Sequence, residues 1–162
     1  MKIKKIRDIS FFAQPADCLA KALIGKAVCR KTEDGTINRF KITETEAYFG
    51  DEPFCFGHGA ENPQSSDGMF YTVGKICYCR AFLRISCFAE NAPDNVLIRG
   101  LDGDDRPVLV SERLSVTYRL NYEYLTSSEI IWLEEDGTVA ETVAASRKGI
   151  PDRSLLNFRL KP

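Results

Sequence analysis

The stretch Glu44-Thr45-Glu46-Ala47-Tyr48, followed at once by Phe49-Gly50, decides how this chain is read. In an extended strand, residues two apart point to the same face. Glu44, Glu46 and Tyr48 then form one row of two carboxylates and a ring, while Thr43, Thr45 and Ala47 face the other way. Lys41 and Ile42 continue the strand upstream, and Gly50-Asp51 ends it. A carboxylate beside an aromatic ring at a strand end can hold a flat ligand and activate a water. The same pattern also fits an ordinary solvated strand face.

Working outward, residues 27–31 and 37–48 read as two strands joined by the turn signal Asp34-Gly35, a hairpin. Upstream, residues 15–23 read as a short helix, with Pro15 suited to its start and Gly25 to the position past its end. Downstream, residues 50–68 read as a long loop rich in Gly, Pro, Asn, Ser and Asp, a kind of segment that often carries function. Strands are expected at 69–72, 76–82, 83–89 and 95–101, with turns at 73–75 and 91–94. Residues 102–107 read as a polar turn, and the spacing of Val110, Leu114, Thr117 and Tyr118 predicts a helix over 110–120. Final strands are expected at 127–133, 138–146 and 155–160, with residues 134–137 as a hairpin turn. The pattern is α+β, mostly antiparallel strands with a few helices.

A chain of 162 residues is expected to form one domain, residues 1–162, large enough to bury a core without staples. No apolar run approaches a membrane span, and no long apolar stretch follows the basic start, so neither a membrane anchor nor a secretory leader is expected. Cys18, Cys29, Cys55, Cys77, Cys79 and Cys87 sit mainly in apolar contexts, without a Cys-x-x-Cys pair and with His58 as the one histidine. They read as reduced thiols of a cytoplasmic protein rather than as a disulfide framework or a metal site. Net charge is −1, which argues against a large nucleic-acid footprint. Between Glu44 and Asp67 there are six acidic residues and no Lys or Arg.

Taken in order, Leu23-Ile24-Gly25-Lys26, the Glu44–Gly50 stretch, Gly68-Met69-Phe70, Val96-Leu97-Ile98-Arg99-Gly100-Leu101, Ile131-Trp132-Leu133-Glu134, Ser146-Arg147-Lys148-Gly149-Ile150 and Asn157-Phe158-Arg159-Leu160 resemble the alkyladenine (3-methyladenine) DNA glycosylase family. The resemblance covers nearly the whole chain. It implies a single domain with a curved, mostly antiparallel sheet and a few helices. It also implies a monofunctional enzyme of base excision repair that removes alkylated, and often deaminated, purines from duplex DNA as a monomer, with no metal and no cofactor. Such enzymes rotate the damaged nucleotide out of the helix and fill the gap with an aromatic wedge. By resemblance, Glu46 matches the general base that activates the attacking water. Tyr48 matches a ring that stacks on the flipped base. Arg99 matches an arginine contacting the flipped nucleotide's phosphate. Phe82 falls where the family places its intercalating tyrosine.

The chain departs from the family at several places. The family's pocket histidine falls on Phe56 by direct count, with His58 two residues later. The following loop, residues 59–67, has lost the family's arginines. The family's Tyr-x-Tyr strand reads Cys77-Tyr78-Cys79, so the second stacking wall falls on Cys79, or on Tyr78 if the strand slips by one residue. The family's selectivity asparagine falls on Ala89 or is displaced to Asn91, and a helical segment between Leu101 and Ser111 reads as trimmed to a turn. These changes leave open two other readings. One is a weakened or inactive member that binds damaged DNA, a nucleotide or a protein. The other is an enzyme acting on a free nucleoside.

Overall fold

The computed structural model describes residues 2–55, 73–79, 81–89 and 92–162. Among them the elements run β1 (Lys4–Lys5), α1 (Ala16–Leu23), β2 (Ala27–Lys31), β3 (Ile37–Tyr48), β4 (Ile76–Cys79), β5 (Phe82–Ser86), β6 (Asn95–Leu101), α2 (Pro107–Arg113), β7 (Ile131–Glu135), β8 (Thr142–Ala145) and β9 (Asn157–Leu160). The strands form one curled antiparallel sheet in the order β1-β7-β2-β3-β6-β5-β4, with β9 on β3 and β8 on β9. The architecture is α+β, as expected.

The 12-residue strand β3 organises the sheet. The β2–β3 hairpin closes through Gly35, whose φ of +86° is costly for a residue with a Cβ. The lower half of β3 pairs with β2, and Glu44, Thr45 and Glu46 pair with β9. Ile42 to Tyr48 pair along the opposite edge with β6. Register shifts on both sides of Glu44, opposite Gly100, make a bulge there. A Cβ on Gly100 would stand 2.7 Å from the Asp104 carbonyl oxygen and 3.0 Å from Glu44 Cβ, so the bulge depends on glycine.

Past the bulge, the two sheet faces differ sharply. Thr45 and Ala47 face the main core, with Val96 and Ile98 beside them and Ala16, Leu19, Ala20 and Leu23 of α1 packed over them. The Thr45 hydroxyl donates to the Ala20 carbonyl at 2.8 Å, tying helix to sheet. Each large aliphatic side chain buried here contributes about 1.5–3 kcal/mol. The other face carries Glu44, Glu46 and Tyr48. Its cross-strand neighbours are Asn157 and Leu97 beside Glu46, Asn95 beside Tyr48, and Arg84 beside Leu97.

Four expectations need correction. The strands expected at 76–82 and 83–89 are divided by a turn at Ala81 (φ +67°), so Phe82 opens β5 instead of ending β4. Helix α2 starts at Pro107, which presets the first helical turn, and the chain leaves helix at Ser115 (φ +48°), so the expected helix over 110–120 is displaced toward the N-terminus. The segment read as trimmed to a turn therefore does hold a helical start. Residues 134–137 do not close a hairpin: β7 already has β2 and β1 on its two edges, and β8 pairs with β9. The strand expected at 69–72 lies outside the described residues, as do Phe56, His58 and Asn91.

Candidate active site

Glu44, Glu46 and Tyr48 are 3%, 1% and 4% exposed, so the row is buried rather than solvated. Buried carboxylates cost several kcal/mol each unless donors and cations surround them. The Tyr48 hydroxyl donates to Glu46 Oε2 at 2.8 Å. The Lys148 backbone N–H donates to Glu46 Oε1 at 3.0 Å, from the segment that lies across this face. Asn157 Nδ2 bridges the two carboxylates, 2.6 Å from Glu44 Oε1 and 3.3 Å from Glu46 Oε1. Arg99 Nε lies 3.2 Å from Glu44 Oε1 and 3.6 Å from Glu46 Oε1, at ion-pair distance but without an aligned hydrogen bond. Arg159 Nε and Lys148 Nζ, 3.4 and 3.9 Å from Glu44 Oε1, complete the positive surround.

The ring of Tyr48 carries two guanidiniums, with Arg84 Cζ 4.9 Å and Arg147 Cζ 4.7 Å from its centroid. Burial, then the charge of Glu46, pushes the Tyr48 phenol up from its usual range, so it remains a donor. The Arg147 side chain is fully buried and forks onto Glu52 at 2.6 and 2.7 Å. It also pairs with Asp152 and donates to the Ala47 carbonyl at 2.9 Å. Burial works against its charge, but Glu52 and Asp152 outweigh that and hold the guanidinium protonated. Arg84 Nη1 donates to Asn95 Oδ1 at 3.0 Å, and Asn95 Nδ2 in turn donates to Cys55 Sγ at 3.3 Å. The Cys55 thiol is pushed up to about 12, chiefly by burial.

Of the residues singled out in the sequence, Glu46, Tyr48 and Arg99 come together. Phe82 is half-buried and packs on the small apolar cluster of Tyr48, Cys55 and Leu97. Tyr78 sits on the opposite face, in register with Leu83 and packed on the main core, because the β4–β5 pairing has no slip. Cys79 pairs along the backbone with Phe82. Ala89 is exposed. The sequence reading gave no role to Asn157, Lys148, Arg147 or Arg84. The one signal for Asn157 was the alternation Asn157-Phe158-Arg159-Leu160, which puts two polar residues on one face.

Among the described residues, no group of three His, Cys, Asp or Glu side chains could hold a metal ion, and no helix is long and apolar enough to cross a membrane. Chemically, the site is a carboxylate held in fixed orientation by three donors, with a cation within reach.

The family model described as methylpurine-DNA glycosylase (MPG) matches residues 10–107 of this chain. A protein of Encephalitozoon cuniculi (strain GB-M1), named "Probable DNA-3-methyladenine glycosylase", is 32% identical over 163 residues, covering 84% of this chain and 78% of its own length. The "DNA-3-methyladenine glycosylase" of Mus musculus is 28% identical over 176 residues, covering 86% of this chain and 53% of its own length. That of Homo sapiens is 28% identical over 179 residues, covering 88% of this chain and 59% of its own length. The chain thus spans little more than half the length of these mouse and human relatives. On the match to its family model and to the E. cuniculi relative, this chain belongs to the methylpurine-DNA glycosylase family.

Proposed function

We propose that this chain hydrolyses the N-glycosidic bond of alkylated or deaminated purines rotated out of duplex DNA, the opening step of base excision repair, working as a monomeric domain in the cytoplasm. The observation that carries the reading is the Glu46 carboxylate, held by the Lys148 N–H, Asn157 and the Tyr48 hydroxyl, in a family whose named relatives are DNA-3-methyladenine glycosylases.

In this reading Glu46 takes a proton from a water as its oxygen attacks the sugar C1′ and the purine leaves with the bonding pair. The sugar turns cation-like as the bond to the base breaks, and the paired carboxylates stabilise that charge. Arg99 lies at ion-pair distance from both carboxylates, offsets their like charge and meets the nucleotide's phosphate. Tyr48 stacks on the flipped purine once a guanidinium on its ring gives way. Base stacking returns about 1–3 kcal/mol, against a few kcal/mol for extruding the nucleotide. Phe82, near the hairpin tip, is the wedge.

The test is excision from duplexes carrying hypoxanthine, ethenoadenine or 3-methyladenine, read as alkali-labile abasic sites. Glu46→Gln keeps the shape but removes the base, so the rate falls about 10²–10⁴-fold. Equal rates for wild type and variant on every lesion would sink the proposal.

One observation favours a second reading, a damage-binding module. Glu46 is only 1% exposed and both its oxygens are engaged, so the site is closed as folded. Tight, salt-sensitive binding of abasic-analogue DNA without excision of any lesion would select that reading instead.

A further inference from the structure

Two guanidiniums lie over the Tyr48 ring, and they are held in different ways. Arg147 is fastened by Glu52 and Asp152, so its charge is balanced where it stands. Arg84 comes from the sheet itself: in β5 it stands opposite Leu97 of β6, which stands opposite Glu46 of β3. It therefore shares the carboxylate face, two strands from Glu46. Arg84 is 9% exposed, and its Cζ lies 4.9 Å from the ring centroid. Its Nη1 donates at 3.0 Å to Oδ1 of Asn95, a fully buried side chain. Asn95 is fixed in turn by donating to the Pro93 carbonyl at 3.0 Å and to Cys55 Sγ at 3.3 Å. A buried, tethered guanidinium thus borders the ring on which a purine would stack. Tyr78, the aromatic candidate for the other wall, packs on the main core instead.

A guanidinium offers N–H donors only and carries a permanent charge. It can stack flat on a base or donate to a purine's edge. A neutral purine such as hypoxanthine presents it with lone pairs at O6 and N7. Methylation at N7 removes one of those acceptors and makes the ring cationic. The methylated base then brings a like charge against a buried cation, which opposes binding. We propose that Arg84 is a specificity-determining residue, ranking neutral purine lesions that keep their edge acceptors above cationic, ring-methylated purines. The inference rests on the proposed reading in that the flipped purine must stack on Tyr48.

The test is competition binding by the full chain to duplexes carrying one hypoxanthine or one 7-methylhypoxanthine, bases that differ by a methyl group and a charge. Both sit on 2′-fluoro sugars, whose electron-withdrawing fluorine disfavours the cation-like sugar, so neither base is lost during the measurement. Wild type is expected to prefer hypoxanthine at least about tenfold. Arg84→Met keeps the length and removes the charge, and the preference falls at least about fivefold. Equal or tighter binding of the methylated base by wild type, or an undiminished preference in Arg84→Met, would each overturn the proposal. If Arg84→Met does not fold, Arg84→Gln, which can still donate to Asn95, takes its place; if neither folds, the wild-type ranking alone decides. Excision of hypoxanthine from a duplex with ordinary sugars is read alongside. The binding preference without excision would uphold the selectivity and reject the glycosylase, whereas excision without the preference would do the reverse.

Discussion

A carboxylate in this sheet is made tolerable or costly by what stands within 4 Å of it. Glu44 and Glu46 share Asn157 and Arg99, and their charges are matched inside the fold. Asp94, the residue before β6, is treated differently. Its Oδ1 accepts the Gly50 N–H at 2.9 Å, but burial, with Asp51 and Glu52 adding like charge, raises its pKa above the ordinary aspartate value. A carboxyl raised in the folded state binds its proton more tightly folded than unfolded, so its ionisation weakens the fold. The penalty is absent below the unfolded pKa of 3.8, grows as pH rises toward the folded value, and is full above it. Asp94→Asn keeps an acceptor for Gly50 and removes the charge. The expected outcome is a higher Tm than wild type at pH 7, with the gain vanishing as pH falls below the ordinary aspartate range. A Tm difference that stayed constant with pH would mean that packing, not ionisation, governs this position.

At the level of elements, the bulge of β3 against β6 sets the row. On its other edge the same strand pairs with β9, and Glu44 lies within reach of Arg99 from β6 and of Asn157 and Arg159 from β9. Gly100→Ala puts a methyl 2.7 Å from a backbone oxygen and 3.0 Å from Glu44 Cβ, where backbone cannot yield cheaply. Overpacking of this kind costs about 1–3 kcal/mol, to be read as a lower urea midpoint at unchanged slope. Excision should fall with it, because the row is displaced; a variant as stable and active as wild type would show that the bulge is not needed. The strands most legible in the sequence were those fixed by local alternation and turn chemistry: β2, β3 and β6 fall on residues 27–31, 37–48 and 95–101 as read. The β4–β5 turn was not legible, because Ala81 adopts a left-handed conformation without the glycine that would announce it. The same limit applied to the site. Glu46 and Tyr48 stand in one motif and Arg99 in a second one quoted from the sequence, whereas Lys148 lies 102 positions from Glu46 and meets it only because the closing segment folds back over the sheet. Nothing local to Lys148 or Arg147 signals a partner that far along the chain.

Over the whole molecule, charge is spent internally. The net charge is −1, and basic side chains are widely paired with acids: Arg39 with Glu134, Arg106 with Asp104, Arg113 with Asp102, Arg147 with Glu52 and Lys161 with Glu141. Lys4, Lys5 and Lys26 likewise meet Glu129 or Glu135 on the β1–β7 side of the sheet. A phosphate must compete with these carboxylates for each cation. Exposed pairs hold by no more than about 1 kcal/mol, so phosphate can win some of them, but every exchange releases fewer counterions than a free lysine would. Salt sensitivity counts such contacts, at a slope of about −0.9 per phosphate in log Kobs against log salt. If the chain acts on DNA as proposed, its binding to an abasic-analogue duplex between about 50 and 200 mM salt is expected to follow a slope shallower than about −3, fewer than about four phosphates neutralised. Affinity would then come from the flipped nucleotide and the wedge rather than from the backbone. A fluorescence-anisotropy titration over that range decides the matter: a slope of about −6 or steeper would mean that the ion pairs open on DNA and that the balanced surface of the free protein is not the surface that binds.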